Sequence, residues 1–279
     1  MSMISELEDK VARHYHHGRL EQAILEALRA SGKDIERLRA VDLSGADEFH
    51  LGWRPATVEL ARELVLTADE QVLDVGAGLG GPARYFAEAH GCRVTGIDLS
   101  AEYVAVANAL TLRCGLEASV SFQQASALAQ PFPDASFDVA TLNHVGMNIQ
   151  DKAGLFREVR RVLRPHGRFG VYEIMQQDDG ELRYPMPWAA TRETSFVAAP
   201  AEYRRLLVDA GFALEAQHDR TTLTLELWKQ MRARVAREGA PPLSLHTLMG
   251  PATPERLGNV MAALESGAIA PVALICRAA

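Results

Sequence analysis

The sequence VLDVGAGLGG at residues 72–81 joins a short apolar run to a cluster of glycines. An apolar run of this length before glycines predicts a buried strand followed by a tight turn. Gly76 and Gly78 fit such a turn because glycine lacks the Cβ that would forbid its backbone angles. Pro82 follows, and proline suits the first turn of a helix. We therefore predict a strand, a glycine-rich loop and a helix N-terminus whose free N–H groups face a ligand.

A second acidic residue follows the next predicted strand. Residues 92–97, CRVTGI, predict that strand, and Asp98 ends it, 24 residues after Asp74. A carboxylate at the carboxyl end of a parallel strand can accept hydrogen bonds from both hydroxyls of a ribose. Asp98 and the glycine loop together predict a site for an adenosine-containing ligand. A plain strand–turn–helix connection is the alternative.

Strands alternate with helices along most of the chain. Helices are predicted at residues 57–66, 82–89, 102–113, 152–163 and 200–210, and strands at 72–75, 92–97, 120–123, 137–142, 168–174, 212–217 and 271–276. This alternation predicts a parallel sheet covered on both faces. The fold class is therefore α/β, with a doubly wound, mostly parallel sheet of seven strands. The last strand follows a long insert and can pair antiparallel, as mixed sheets allow at their edges.

Two helical regions flank the predicted sheet. Residues 1–66 predict an N-terminal helical cap, in which apolar residues recur at three- and four-residue spacing and Gly32 ends a helix. The other predicted units are a ligand-binding core at 67–220, a helical lid at 221–266 and the final core strand at 267–279. We expect the cap and the lid to lie over the carboxyl ends of the strands.

The composition argues against several classes of function. The 279 residues carry a formal net charge of −7 without a clustered basic surface, so we expect no nucleic-acid partner. No apolar run approaches the roughly 18 residues of a membrane helix, and the N-terminus lacks an apolar signal core. We therefore expect no membrane partner and a cytoplasmic localisation. We also expect no metal site, because His14 and His17 lack an accompanying carboxylate or cysteine in a known pattern.

The glycine spacing also fits a nicotinamide-dependent oxidoreductase. Gly76, Gly78 and Gly81 satisfy G-x-G-x-x-G, the fingerprint of dinucleotide-binding folds. In those folds a pyrophosphate lies on the loop, where the carboxylate of Asp74 would repel it. S-adenosylmethionine carries an amine and a sulfonium and no phosphate, so it can use that acid. We predict S-adenosylmethionine as the cofactor and S-adenosylhomocysteine as its product; the oxidoreductase and a non-catalytic S-adenosylmethionine-binding protein are the alternatives.

Several stretches resemble the motifs of class I S-adenosylmethionine-dependent methyltransferases. They are VLDVGAGLG at 72–80, GIDLS at 96–100, PFPDASFD at 131–138 and RVLRPHG at 161–167. GGPARYF at 80–86 and AHGCRVT at 89–95 are similar to the sarcosine/dimethylglycine N-methyltransferase branch. The resemblance covers about residues 50–220 and implies a Rossmann-like methyltransferase fold and a small-molecule substrate. Asn148 falls where these closer relatives often carry a histidine.

The resemblance also implies which residues hold the cofactor. Asp74 and the backbone of residues 76–78 would hold the methionyl end, while Asp98 would hold the ribose and Leu99 would lie against the adenine. Ser126 replaces an acid that the family often carries. The implied cofactor-binding residues are Asp74, Gly76, Ala77, Gly78, Gly81, Asp98, Leu99, Ser126, Ala127, Asn143 and His144.

Three residues are candidate catalytic groups for in-line methyl transfer to nitrogen or oxygen. His144 follows the fourth strand and is the first candidate base; a loop-fixing histidine is the alternative. Glu173, in the fifth strand, can orient a substrate cation or make a structural bond. Tyr15 can close over the cofactor, as N-terminal aromatic residues do in similar enzymes, or lie on a solvated helix face. A homodimer is a further expectation.

Overall fold

A seven-stranded sheet forms the centre of the computed structural model, which describes residues 6–178 and 180–279. The strand order is β3-β2-β1-β4-β5-β7-β6. The strands are β1 (Gln71–Val75), β2 (Arg93–Asp98), β3 (Val120–Gln124), β4 (Phe137–Asn143), β5 (Leu163–Gln176), β6 (Phe212–Asp219) and β7 (Ile269–Ala278). Strand β7 pairs antiparallel with both β5 and β6, while the remaining pairs are parallel. The predicted mostly parallel α/β sheet is confirmed.

Helices cover both faces of the sheet and the edge at which the parallel strands end. They are α1 (Glu6–His14), α2 (Leu20–Ala30), α3 (Trp53–Glu63), α4 (Gly81–His90), α5 (Ala101–Arg113), α6 (Lys152–Val162), α7 (Pro200–Asp209), α8 (Thr221–Glu238), α9 (His246–Met249) and α10 (Thr253–Glu265). No helix in the described part of the chain combines the length and the apolar character needed to cross a membrane.

Helix α3 and strands β5 and β7 differ most from the sequence prediction. Helix α3 begins at Trp53, before Pro55, because a proline is tolerated in a first turn whose N–H groups have no partner within the helix. Strand β5 begins at Leu163, which pairs with Phe137 before a register shift. Strand β7 lies between β5 and β6, so β6 and not β7 occupies the edge of the sheet.

Alternate side chains of β1 pack on opposite faces of the sheet, as a strand requires. Leu73 and Val75 belong to a buried cluster with residues of α6 and α7. Val72 belongs to a second cluster with residues of α3, α4 and α5. Both faces of the central strands are therefore covered, which explains why their sequences are almost wholly apolar.

This arrangement brings the carboxyl ends of β1, β2 and β4 to one edge of the sheet. The glycine loop follows β1 and leads into α4, while Asp98 ends β2 and precedes α5. The division into cap, core, lid and final strand stays a prediction, and residues 1–5 of the predicted cap lie outside the described residues.

Candidate cofactor and substrate site

A cavity of about 520 Å³ lies at the carboxyl ends of β1, β2 and β4. Helices α1, α8 and α10 and the loop before α3 complete its wall. The cavity is lined by most of the predicted site residues: Tyr15, Asp74, Gly76, Ala77, Gly78, Asp98, Leu99, Ala127, Asn143 and His144. Gly81, Ser126 and Glu173 do not line it. The fold thus brings together residues from five separate segments of the sequence.

The glycine loop is shaped for close approach to the main chain. Gly76 and Gly78 have φ angles of 71° and 54°, in the left-handed region that favours glycine. A Cβ on Gly76 would collide with the side chain of Val145. A Cβ on Gly78 would meet no protein atom within 4 Å, so this residue leaves open space in the wall of the cavity. The loop can therefore admit a ligand that a side chain would displace.

Gly81 has a different role in this structure. A Cβ there would collide with the main-chain carbonyl group of Asp47. Gly81 therefore lets the start of α4 pack against the loop before α3. Its predicted contact with the cofactor stays a prediction.

The carboxylate of Asp98 is held by two backbone N–H groups. Oδ2 accepts a hydrogen bond from Gly78 at 2.9 Å, and Oδ1 accepts one from Ser100 at 2.9 Å. Burial raises the pKa of Asp98, and these backbone hydrogen bonds oppose that rise. Each carboxylate oxygen has a second lone pair for a hydroxyl group. This geometry fits the predicted contact with ribose.

Two residues at the ends of β1 and β4 have buried polar atoms without a partner among the described residues. Oδ1 of Asp74 accepts a hydrogen bond of 2.8 Å from Thr141, but Oδ2 has no partner. The amide oxygen and nitrogen of Asn143 also have none. Buried polar groups normally have partners, so unpaired ones indicate where a ligand binds. The unpaired acceptors, Oδ2 of Asp74 and Oδ1 of Asn143, fit the ammonium group of S-adenosylmethionine.

Cofactor affinity should depend on the ionisation of Asp74. Burial raises the pKa of this carboxyl to about 7. The carboxylate, which accepts an ammonium hydrogen bond, predominates above that pH, and protonation removes it below. We expect the affinity for S-adenosylhomocysteine to decrease as the pH is lowered, by about fivefold between pH 7 and 6. Calorimetry at pH 6, 7 and 8 measures this dependence.

The matched control for this titration is Asp74→Asn, which keeps the shape of the side chain and cannot ionise. We expect its affinity to be low and nearly constant across the same pH range. An equally steep profile in the variant would assign the titration to another group.

His144 follows β4, and both of its ring nitrogens have hydrogen-bond partners. Nδ1 lies 3.1 Å from the carbonyl oxygen of Tyr172, and Nε2 accepts a 3.2 Å hydrogen bond from the N–H of Leu51. Because a carbonyl only accepts, Nδ1 carries the hydrogen. Burial holds the pKa of His144 well below its usual value, so the ring is neutral. The role of His144 as a base stays a prediction. In that role Nε2 must accept a proton, so its hydrogen bond from the Leu51 N–H must first break.

Glu173 lies behind the cavity wall, in the buried part of β5. Its Oε1 accepts hydrogen bonds from the N–H groups of Val145 and Gly146 at 2.8 and 2.7 Å. Burial raises the pKa of Glu173 to about 7. In this structure the carboxyl group holds the turn that follows β4. The predicted contact with a substrate stays a prediction.

Tyr15 follows α1 and faces the cavity. Its hydroxyl donates a 2.8 Å hydrogen bond to Oδ1 of Asn148, and its ring makes an edge contact with Tyr103, with centroids 5.8 Å apart. Burial raises the pKa of the Tyr15 hydroxyl, so the side chain is neutral. Ser126 instead contacts Glu8 of α1 and accepts a hydrogen bond from Leu128. The roles of Tyr15 and Ser126 toward the cofactor stay predictions.

A buried polar network beside the cavity was missed by the sequence analysis. Nε2 of His50 lies 3.0 Å from Oε2 of Glu48, and Thr57 donates a 2.6 Å hydrogen bond to the same oxygen. Arg54 forms an ion pair of 2.7 Å with the other oxygen of Glu48. His50 also lines the cavity. The stretch DEFH at 47–50 was the only sign of this network in the sequence. Its spacing does not show that Thr57 forms a hydrogen bond with Glu48.

Comparison with known proteins supports the predicted resemblance. Residues 73–171 match the family described as "Methyltransferase domain". Phosphoethanolamine N-methyltransferase 1 of Arabidopsis thaliana is 32% identical over 201 residues, which span 72% of this chain and 40% of that protein. The 27-O-demethylrifamycin SV methyltransferase of Amycolatopsis mediterranei (strain S699) is 29% identical over 231 residues, spanning 79% of this chain and 82% of that protein. This chain thus spans less than half the length of the Arabidopsis relative.

Solved structures show the same fold. The [4+2]-cyclase SpnF has a TM-score of 0.66 and 23% sequence identity, over 94% of this chain and 95% of that one. Other solved structures of this fold hold S-adenosylmethionine or S-adenosylhomocysteine. These structures show the fold, and the geometry of the glycine loop fits the predicted cofactor.

Proposed function

Because the chain belongs to the class I S-adenosylmethionine-dependent methyltransferases, we propose that it methylates a nitrogen or oxygen atom of a small-molecule metabolite. The main support is a single cavity that joins the cofactor residues at the ends of β1 and β2 to an apolar region under α8 and α10. Such a cavity can place two ligands side by side, which in-line transfer requires.

The residues around the cavity have distinct proposed tasks. S-adenosylmethionine, when bound, supplies a methyl group on a sulfonium, which an acceptor atom displaces without a covalent enzyme intermediate. Asp98 would hold the ribose, and Asp74 the ammonium group. The open space beside Gly78 would admit the cofactor next to the main chain.

Cap, lid and catalytic groups also belong to this proposal. Residues 1–66 and 221–266 would close over the cavity, to whose wall Tyr15 and Trp228 contribute. Glu173 would act by holding the turn after β4, next to Asn143 and His144. The cytoplasmic localisation and the homodimer stay predictions.

The alternatives receive less support. The carboxylate of Asp74 directly before the glycine loop would repel a pyrophosphate, and the family match opposes a nicotinamide-dependent oxidoreductase. The similarity to a cyclase makes it necessary to test transfer itself, and not only binding.

The test has a binding step and a transfer step. We expect calorimetry to detect S-adenosylhomocysteine binding and no binding of NAD. With S-adenosylmethionine labelled on its methyl group, we expect label to pass to an organic-soluble metabolite in a heat-treated cell extract. The Asp98→Ala variant should show no transfer. Tight S-adenosylhomocysteine binding without transfer from the wild type would favour the non-catalytic alternative.

A further inference from the structure

The order of the strands fixes the direction in which the cofactor extends. Asp74 and Asn143 lie at the ends of β1 and β4, and Asp98 ends β2, which lies between β1 and β3. The ribose of S-adenosylmethionine joins the methionyl chain on one side to adenine on the other. With the ammonium group at Asp74 and the ribose at Asp98, the adenine therefore extends toward the end of β3.

The cavity has an apolar wall near the end of β3. The chain after β3 stays beside β2, because the N–H of Ala125 donates a 3.0 Å hydrogen bond to the carbonyl oxygen of Asp98. The wall there includes Leu99, Ala125, Ala127 and Leu128. Such a surface suits the flat faces of a purine, whose hydrogen-bonding atoms lie on its edges. A group that recognises the base must therefore meet one of these edges.

Helix α1 presents a carboxylate to this part of the cavity. Five residues of α1 and the turn after it line the cavity at helical spacing: Leu7, Glu8, Val11, Ala12 and Tyr15. Of these five, Glu8 alone carries a charged side chain. An acid on a helix face that is otherwise uncharged and turned toward a cavity requires polar partners there.

Ser126 holds the carboxylate of Glu8 near the end of β3. Its hydroxyl accepts a 3.1 Å hydrogen bond from the N–H of Leu128 and donates a hydrogen bond to Oε1 of Glu8. Since Ser126 follows Ala125, this bond places the carboxylate beside the segment that pairs with Asp98. A carboxylate can accept several hydrogen bonds at once, so the bond from Ser126 is compatible with another from a ligand.

The other acids that line the cavity make different contacts. Asp47 pairs with Arg84 at 2.8 Å, and Asp151 accepts a 2.7 Å hydrogen bond from Gly154 at the start of α6. Asp74 and Asp98 have proposed roles toward the ammonium group and the ribose. Glu8 is therefore the acid best placed for the base. The exocyclic amino group of adenine is a hydrogen-bond donor, whereas the ring nitrogens accept, so a carboxylate matches the amino group.

We propose that Glu8 accepts a hydrogen bond from the exocyclic amino group of adenine and so selects the cofactor over nucleosides that lack this donor. The proposal rests on the proposed function, which supplies the cofactor and the position of its ribose. Glu8 contacts the cofactor directly, and Ser126 is a positioning residue that orients the carboxylate. Helix α1 is then part of the cofactor site as well as its cover.

The first experiment compares S-adenosylhomocysteine with an analogue whose purine carries hydrogen in place of the exocyclic amino group. Calorimetry gives the ratio of the two affinities for each protein. The wild type should bind S-adenosylhomocysteine at least about tenfold more tightly, because the analogue loses a hydrogen bond to a charged acceptor. In Glu8→Ala this ratio should fall at least about threefold. A smaller fall would overturn the proposal, and so would a wild-type ratio near one.

The ratio separates recognition of the base from a structural effect. If Glu8 only held α1 against the core, Glu8→Ala would weaken both ligands equally and leave the ratio unchanged. Glu8→Gln keeps a carbonyl acceptor without the charge and should retain part of the ratio. Ser126→Ala should lower the ratio less than Glu8→Ala does, because the carboxylate remains but loses a bond that orients it. An unchanged ratio in Ser126→Ala would remove the positioning role of Ser126.

Two other acids provide matched controls. Glu6→Ala removes an exposed carboxylate of the same helix, and Asp151→Asn removes a charge from the cavity wall while keeping an acceptor for Gly154. Both should leave the ratio unchanged. A lower ratio in Asp151→Asn with no change in Glu8→Ala would assign the amino group to Asp151 and overturn the proposal.

Binding of S-adenosylhomocysteine to the wild type distinguishes failure of this proposal from failure of the proposed function. Absence of binding contradicts the proposed function. Binding with the same ratio in the wild type and in Glu8→Ala contradicts the role of Glu8 alone.

Discussion

Asp98→Ala is expected to weaken S-adenosylhomocysteine binding by at least about 100-fold. The two oxygens of Asp98 are oriented by the N–H groups of Gly78 and Ser100 and keep lone pairs for two ribose hydroxyls. Hydrogen bonds to a charged group contribute about 1.5–3 kcal/mol each, so losing two costs about 3 kcal/mol or more. Calorimetry of wild type and variant measures the ratio directly.

The controls for this variant separate binding from folding. Asp98→Asn keeps an acceptor oxygen and should have an intermediate affinity. Asp209→Ala removes an exposed acid of α7, whose ion pair with Arg205 is open to solvent, and should bind normally. Circular dichroism should show an unchanged fold in all three variants. Unchanged affinity in Asp98→Ala would remove ribose recognition from the proposed site.

Asp47→Ala is expected to reduce the free energy of unfolding by about 3–5 kcal/mol. The ion pair between Asp47 and Arg84 lies at 2.8 Å with side-chain exposures of 1% and 0%. Arg84 also donates to Thr111 and to carbonyl oxygens of α5 and the glycine loop, so it cannot swing out to solvent without losing these bonds. Removing Asp47 therefore leaves a buried, unpaired charge. Urea unfolding in the absence of ligand measures the loss.

Two variants test the cause of this destabilisation. In Asp47→Ala/Arg84→Met the charge and its partner are both absent, so a substantial part of the loss should be recovered. The exposed ion pair between Asp209 and Arg205 provides the comparison. Asp209→Ala should reduce the free energy of unfolding by less than about 1 kcal/mol. If Asp47→Ala and Asp209→Ala had similar effects, the buried pair would not stabilise the loop before α3.

The predictions that held rest on local features of the chain. The glycines at 76 and 78 could be assigned to a turn because glycine adopts left-handed backbone angles at little cost, whatever surrounds it. The position of Asp98 at a strand end followed from the alternation of strands and helices, since parallel strands present their carboxyl ends at one edge. The resemblance added the identity of the cofactor to this geometry.

Contacts between distant parts of the chain set the position of β7 and the hydrogen bonds of His144, which the local sequence does not predict. The insertion of β7 between β5 and β6 depends on pairing between strands that are far apart along the chain. The hydrogen bonds of His144 depend on Leu51 and Tyr172, which only the folded chain brings to its ring. Proximity in the sequence cannot indicate which nitrogen of a histidine is engaged.

The sequence by itself determined the α/β class, the glycine loop and the position of Asp98 at a strand end, because backbone angles and residue periodicity are properties of short segments. Only the tertiary structure decided that His50 is paired with Glu48, and that no lysine or arginine is among the described residues that line the cavity beside the glycine loop. The physical reason is that burial and charge pairing are set by all the segments that meet at one place.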